Sequence, residues 1–233
     1  MDTVDLNPIL HEAGLDLVEK PEGLTLTDGT LELSVDLTHM LPRLRQGRLQ
    51  AELLVKAARC RGVEAPVAID ATAGFGEDSL LLAAAGFTVE LYERDPVIAA
   101  LLADGLARAA GEPALADAVS RMRLHTGDSL AGMRKLAELI AAGESPAPDV
   151  VYLDPMFPGR TKSAAVKKKF QLLHHLERPC DDEAELLEAA HSVGPRKIVI
   201  KRPVKGPLLA GTKPSYQLGG KAVRYDVIVP PRP

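Results

Sequence analysis

From Pro66 onward the chain alternates short apolar runs with longer amphipathic ones, and such a chain can scarcely avoid a parallel sheet covered on both faces by helices. Val67 to Asp70 reads as the first strand, followed by a glycine turn and a helix through Ala85. Thr88 to Tyr92 is a second strand ending at Glu93, and Pro96 opens a helix to about Ala110. Arg121 to Thr126, Asp149 to Leu153 and Lys197 to Lys201 supply three further strands, with helices over roughly 130–142 and 182–191. Tyr216 to Val229 adds one or two closing strands. With 46% hydrophobic and 26% charged residues, the composition is that of an ordinary globular chain.

The first forty residues follow a different pattern. Leu15 to Val18, Leu24 to Thr27 and Leu31 to Leu37 alternate apolar and polar side chains around an Asp28-Gly29 turn, which predicts a small antiparallel unit. Leu49, Leu53, Ala57 and Cys60 then fall on one face of a helix over 48–61. Residues 1–62 are therefore expected to form a β-rich appendage with a connecting helix, and 63–233 the main domain. Nothing resembles a membrane span, the acidic N-terminus lacks a signal-peptide layout, and two cysteines are too few for a disulfide scaffold. A cytoplasmic location is the economical reading. No His or Cys pair has metal-ligand spacing, so no catalytic metal is expected.

The chemistry concentrates at the strand ends. Asp70-Ala71-Thr72-Ala73-Gly74-Phe75-Gly76-Glu77-Asp78 follows a buried strand and opens a helix, and Gly74 and Gly76 let the backbone approach a ligand closely. A dinucleotide enzyme uses similar spacing, but Ser79 stands where its third glycine belongs. Asp70, placed before the turn, repels a pyrophosphate and can hold an ammonium or sulfonium, favouring S-adenosylmethionine (SAM) over NAD. Glu93 closes the second strand, where a carboxylate can accept both ribose hydroxyls; Asp128 closes the third, where it can accept the adenine amino group.

Asp154-Pro155-Met156-Phe157-Pro158 ends the fourth strand, across the crevice from the first. A side-chain oxygen of Asp154 and the carbonyl of Pro155 could accept the two N–H bonds of an exocyclic amine, turning its lone pair toward a methyl donor. Phe157 could stack on the base.

This loop resembles the Asn/Asp-Pro-Pro-aromatic motif of amino-methyltransferases acting on adenine or guanine. More closely, Asp70 to Gly74, Glu93-Arg94, Asp154 to Pro158 with Lys162-Ser163-Ala164, and Lys201-Arg202-Pro203 are together similar to the RsmJ-type family. The resemblance spans about residues 66–205. It implies a Rossmann-like class I SAM-dependent methyltransferase that modifies guanine N2 in 16S ribosomal RNA, leaving S-adenosylhomocysteine. It also implies SAM contacts at Glu77-Asp78, Glu93-Arg94, Asp128-Ser129 and Asp154, although Glu77 departs from the basic residue expected after the second glycine.

Net charge is −4, yet residues 156–178 carry six bases against one acid. Placed directly after the catalytic loop, Arg160, Lys162, Lys167, Lys168 and Lys169 are expected to meet an RNA backbone, with Lys201 and Arg202 lining the same entrance and Arg43, Arg45 and Arg48 extending it. Three other readings remain open from sequence. They are an amino-methyltransferase of a small molecule or protein, a non-catalytic SAM- or RNA-binding scaffold and, more distantly, a dehydrogenase.

Overall fold

The computed structural model describes residues 6–155, 172 and 182–231. Three small strands, β1 (Asp16–Lys20), β2 (Gly23–Thr27) and β3 (Glu32–Leu33), form an antiparallel sheet in the order β1-β2-β3. The larger sheet comprises β4 (Val67–Asp70), β5 (Thr88–Glu93), β6 (Met122–Thr126), β7 (Val150–Leu153), β8 (Lys197–Pro203), β9 (Tyr216–Gly219) and β10 (Val223–Ile228). Among the described residues it has seven strands in the order β6-β5-β4-β7-β8-β10-β9. The first five in that order run parallel, while β10 and β9 close the far edge antiparallel.

Period-2 alternation gives this sheet two cores. Ala68, Val150, Tyr152, Val199 and Val227 face one, and Ile69, Val151, Leu153, Ile198 and Ile200 face the other. The second face is covered by α8 (Ser129–Ala141) and α9 (Glu183–Ser192). The first is covered by α4 (Leu53–Ala58), α5 (Glu77–Ala84), α6 (Pro96–Ala110) and the short α7 (Ala116–Val119). The amino-terminal unit joins this first core through Leu10, Leu15, Leu26, Leu33 and Val35. Chain order reverses between β4 and β7, and in open α/β sheets the crevice beyond the strand ends at such a reversal is where ligands bind.

The amino-terminal third departs from the sequence expectation in three places. Residues Asn7–Ala13 form a helix, α1, with Pro8 in its first turn and Gly14 left-handed at its end. The strand expected over 31–37 is reduced to β3, because Asp36 accepts a hydrogen bond from Thr38 N and caps a 3₁₀ turn over Leu37–Met40. The helix expected over 48–61 breaks into α3 (Arg48–Ala51) and α4, with α2 (Leu41–Leu44) before them. Glu52, extended at ψ 130°, makes the break, and its carboxylate receives Arg43 Nε at 2.8 Å and Nη2 at 2.9 Å.

The small sheet docks on α6 through a close backbone approach. A Cβ at Gly105 would lie 2.5 Å from Val35 Cγ1 and 3.0 Å from the Val35 carbonyl oxygen. Around this contact, Leu24 N donates to Asp104 Oδ2 at 3.1 Å, and Arg108 donates to both Asp104 and the Val35 carbonyl. In a free helix Gly→Ala gains about 1 kcal/mol. Here overpacking should outweigh that gain, and Gly105→Ala is expected to lower stability by about 1–3 kcal/mol in urea denaturation. An unchanged or higher midpoint would contradict the close docking.

Candidate active site

The glycine turn after β4 is built from its own hydrogen bonds. Asp70 is 1% exposed; its Oδ1 accepts Thr72 N at 3.1 Å and its Oδ2 accepts the Ser79 hydroxyl at 2.5 Å. The residue that replaces a third glycine, Ser79, thus ties the first turn of α5 back to β4. Asp70 is therefore an internal strut and not the crevice-facing anion expected from sequence. Burial pushes its carboxyl up to about 7, against the opposing pull of Ser79 and Thr72. Gly74 and Gly76 adopt φ of 53° and 75°. A Cβ at Gly76 would sit 2.8 Å from Leu102 Cδ1, whereas one at Gly74 would meet nothing within 4 Å, so Gly74 opens on the crevice.

Glu93 ends β5 and fastens this turn. Its Oε2 accepts Gly74 N at 2.9 Å and its Oε1 accepts Asp95 N at 2.8 Å. Burial, the largest influence on it, raises its pKa, and the two backbone donors partly offset the rise. Arg94 beside it is exposed. At the end of β6, Asp128 caps α8 by accepting Leu130 N at 3.2 Å, and Ser129 is buried in the first turn. The strand-end acids thus serve as caps and staples while standing in register along the crevice.

Across the chain reversal, the residue that follows β7 is tied to the glycine turn: Asp154 N donates to Thr72 Oγ1 at 2.7 Å. Pro155 is buried. Phe157, Arg160, Lys162, Lys167, Lys168 and Lys169 lie outside the described residues.

A single ammonium joins the two sides. Lys201 Nζ sits 2.6 Å from Asp78 Oδ2 and 3.0 Å from Asp154 Oδ2, and the Tyr152 hydroxyl donates to Asp78 Oδ2 at 2.6 Å. Burial works against the charge on Lys201, but Asp154 and Asp78 together overcome it and raise its pKa above the ordinary value. Tyr152 and Tyr225 are raised by burial first and by the Asp78 charge second. The amino-terminal unit reaches the same place, with His39 Nε2 3.2 Å from Glu77 Oε1 and the Arg43 guanidinium near enough to act electrostatically on Asp78.

The structure therefore reassigns two residues expected at an RNA entrance. Lys201 lies inside the acid cluster. Arg202, one position on and on the opposite sheet face, is 1% exposed and donates to Glu183 Oε1 and the Pro207 carbonyl, each at 3.0 Å. A buried guanidinium so held does not meet a phosphate. Arg43 is likewise paired with Glu52, whereas Arg45 and Arg48 are exposed. Sequence reasoning missed Tyr152 and the bridging role of Lys201. The available signal was the lone polar side chain of Tyr152 in the apolar run of β7, beside the lysine that follows the Ile198–Ile200 run of β8.

The donor set suits SAM. The turn presents an open glycine, and the crevice holds carboxylates where a pyrophosphate would need cations. When bound, SAM supplies an electrophilic methyl group on a sulfonium. Sheet order, glycine turn and strand-end acids define a class I SAM-dependent methyltransferase. The family described as "Putative SAM-dependent methyltransferase" matches residues 3–230. Ribosomal RNA small subunit methyltransferase J of Thioalkalivibrio sulfidiphilus is 44% identical over 223 residues, covering 95% of this chain and 83% of its own. The protein of the same name from Neisseria gonorrhoeae is 41% identical over 196 residues, covering 84% and 76%. Among solved structures, the SAM-dependent methyltransferase NGO1261 from Neisseria gonorrhoeae superposes with a TM-score of 0.74 at 32% identity, covering 98% of this chain and 92% of that one. The rRNA methyltransferase aviRa from Streptomyces viridochromogenes, at 20% identity and a TM-score of 0.51 over 78% and 84% of the chains, shares the fold. The chain belongs to the ribosomal RNA small subunit methyltransferase J family, and its methyl donor is SAM.

The buried Asp70 gives stability a pH dependence. Between about pH 4 and about 7 the unfolded chain has released this proton and the folded chain still holds it, so this group makes stability fall as pH rises through that window. Asn can accept from Thr72 N and donate to Ser79, so Asp70→Asn should gain on the wild type from pH 4.5 to pH 7.5 in urea denaturation. A constant difference across that range would contradict the burial argument.

Proposed function

We propose that the protein transfers a methyl group from SAM to the exocyclic N2 of a guanine in 16S ribosomal RNA, in the cytoplasm, on naked rRNA or the small ribosomal subunit. The observation that carries this is the Asp154 carboxylate, held at the end of β7 by Lys201 and, through its backbone N–H, by Thr72 of the glycine turn. Similarity to curated ribosomal RNA small subunit methyltransferases supports the choice of RNA.

In this reading Asp154 and the Pro155 carbonyl accept the two N–H bonds of the guanine amino group. They orient its lone pair and stabilise the positive charge that grows on nitrogen. The N–C bond forms as the S–C bond breaks, and the surplus proton leaves the nitrogen for water. Phe157 stacks on the extruded base, and Arg160, Lys162 and Lys167 to Lys169 follow the phosphates. Glu93 takes the ribose hydroxyls and Asp128 the adenine amino group, while Gly74, Gly76, Glu77, Asp78, Arg94 and Ser129 complete the cofactor's surroundings. Residues 1–62 act as an appendage on the methyltransferase domain of 63–233, flanking the mouth through His39 and Arg43.

Tritiated SAM incubated with small subunits from a strain lacking the gene should place label in N2-methylguanosine. Asp154 also borders the cofactor, so Asp154→Ala should lower the rate at saturating SAM by about 10²-fold or more while the melting temperature holds. Label in another nucleoside would refute the acceptor, and undiminished turnover in the variant would refute the role of Asp154.

A further inference from the structure

At the opposite end of β8 from Lys201, four residues and about 13 Å away along the strand, lies a cavity of about 450 Å3 that the methyl-transfer site does not use. Lys56, Arg59, Arg61, Arg196 and Lys197 line it, together with Tyr216. Lys197 builds its floor: Nζ donates to the carbonyls of Ala57 at 3.0 Å and Arg59 at 2.6 Å, joining the end of α4 to the start of β8. It also lies 6.0 Å from the centre of the Tyr216 ring. Arg196 pairs with Asp149 at 2.8 Å on the rim. Lys56, Arg59 and Arg61 are exposed, and none forms a salt bridge among the described residues. Two of the three exposed large apolar side chains among the described residues, Tyr216 and Val229, open onto the same cavity.

Five cations against one carboxylate are conspicuous on a chain whose net charge is −4. Their arrangement decides what they suit. A compact free anion is held by convergent, buried donors, whereas the three unpaired cations here are exposed and spread along the end of α4 and the loop beyond it. Exposed cations spread in this way suit a chain of phosphates rather than a single ion, and the exposed Tyr216 ring beside them offers a stacking platform for a base. We infer that this cavity is a second contact for the phosphodiester backbone of the RNA substrate, separate from the methyl-transfer crevice. It rests on the proposed action on ribosomal RNA, and it gives the enzyme a hold on RNA away from the extruded base.

The test is the salt dependence of binding to naked 16S rRNA by the full chain. Replacing Lys56, Arg59 and Arg61 together by alanine should make the slope of log K against log salt shallower by about two, and weaken binding about tenfold or more at 0.1 M salt. SAM affinity and melting temperature should stay at wild-type values. Arg59→Lys with Arg61→Lys should restore the slope, because a point charge still neutralises a phosphate. Should the triple variant fold poorly, Arg59→Gln with Arg61→Gln gives the same reading with less lost packing, and a slope shallower by more than one supports the contact. Unchanged slopes overturn the inference. So does weaker binding to assembled subunits with an unchanged slope on naked rRNA, which would make the surface a protein contact. Methyl transfer by the wild type reads the other claim separately: a cavity-dependent slope without label in N2-methylguanosine would leave this contact standing and remove the proposed reaction.

Discussion

The ammonium of Lys201 is the interaction on which the site depends. Asp70, Asp78 and Asp154 converge where β4, α5 and β7 meet, in surroundings that also bury Tyr152 and Tyr225. Carboxylates gathered in such a place tend to hold protons or repel one another apart. One lysine at the carboxyl end of β8 contacts two of them, at 2.6 and 3.0 Å, and so lets Asp78 of α5 and Asp154 after β7 occupy one small volume. Asp70 meets the same constraint differently: it lies deepest, and its hydrogen bonds to Thr72 and Ser79 compensate for lost solvent. The strand order makes this possible, since β7 lies beside β4 and β8 beside β7, all parallel, which brings the three carboxyl ends to one side.

The amino-terminal unit serves the same arrangement from outside. Its apolar residues share the core of the main sheet, and Gly105 and Val35 allow it to sit close against α6. Docked there, the segment over 37–58 runs past the first turn of α5, and the Arg43–Glu52 pair sits beside Asp78. The break between α3 and α4 falls at Glu52, the residue whose carboxylate holds Arg43. On the far edge, α4 ends against the start of β8 through Lys197, so one short helix helps to shape both the crevice and the basic cavity.

The parallel sheet and the glycine turn were legible because their signals are local. Short runs rich in apolar residues, most of them closed by an acid or a glycine, fix the strand ends, and the crevice follows from them. The amino-terminal strands were legible in kind but not in extent, because Asp36 caps a turn where alternation alone would continue a strand. Pairing across the sheet was not legible. Lys201 and Arg202 look alike in sequence, as two cations after an apolar strand. Their fates differ because successive strand residues point to opposite faces, one toward Asp78 and Asp154 and the other toward Glu183. Asp70 was misread for the same reason: its position at the strand end was clear, but its burial depends on Ser79 from the next helix.

The most direct test of this account is the pH–rate profile of methyl transfer by Lys201→Met, which keeps the aliphatic stem and removes the charge. A carboxylate that loses its counter-cation holds its proton to higher pH, and only the anion accepts the guanine N–H bonds well. The acid limb of the profile should therefore move to higher pH and the rate near neutrality should fall about tenfold or more, with the melting temperature reported alongside to exclude unfolding. A profile superimposable on that of the wild type would show that Asp78 and Asp154 do not need this lysine, and would contradict the account at its centre.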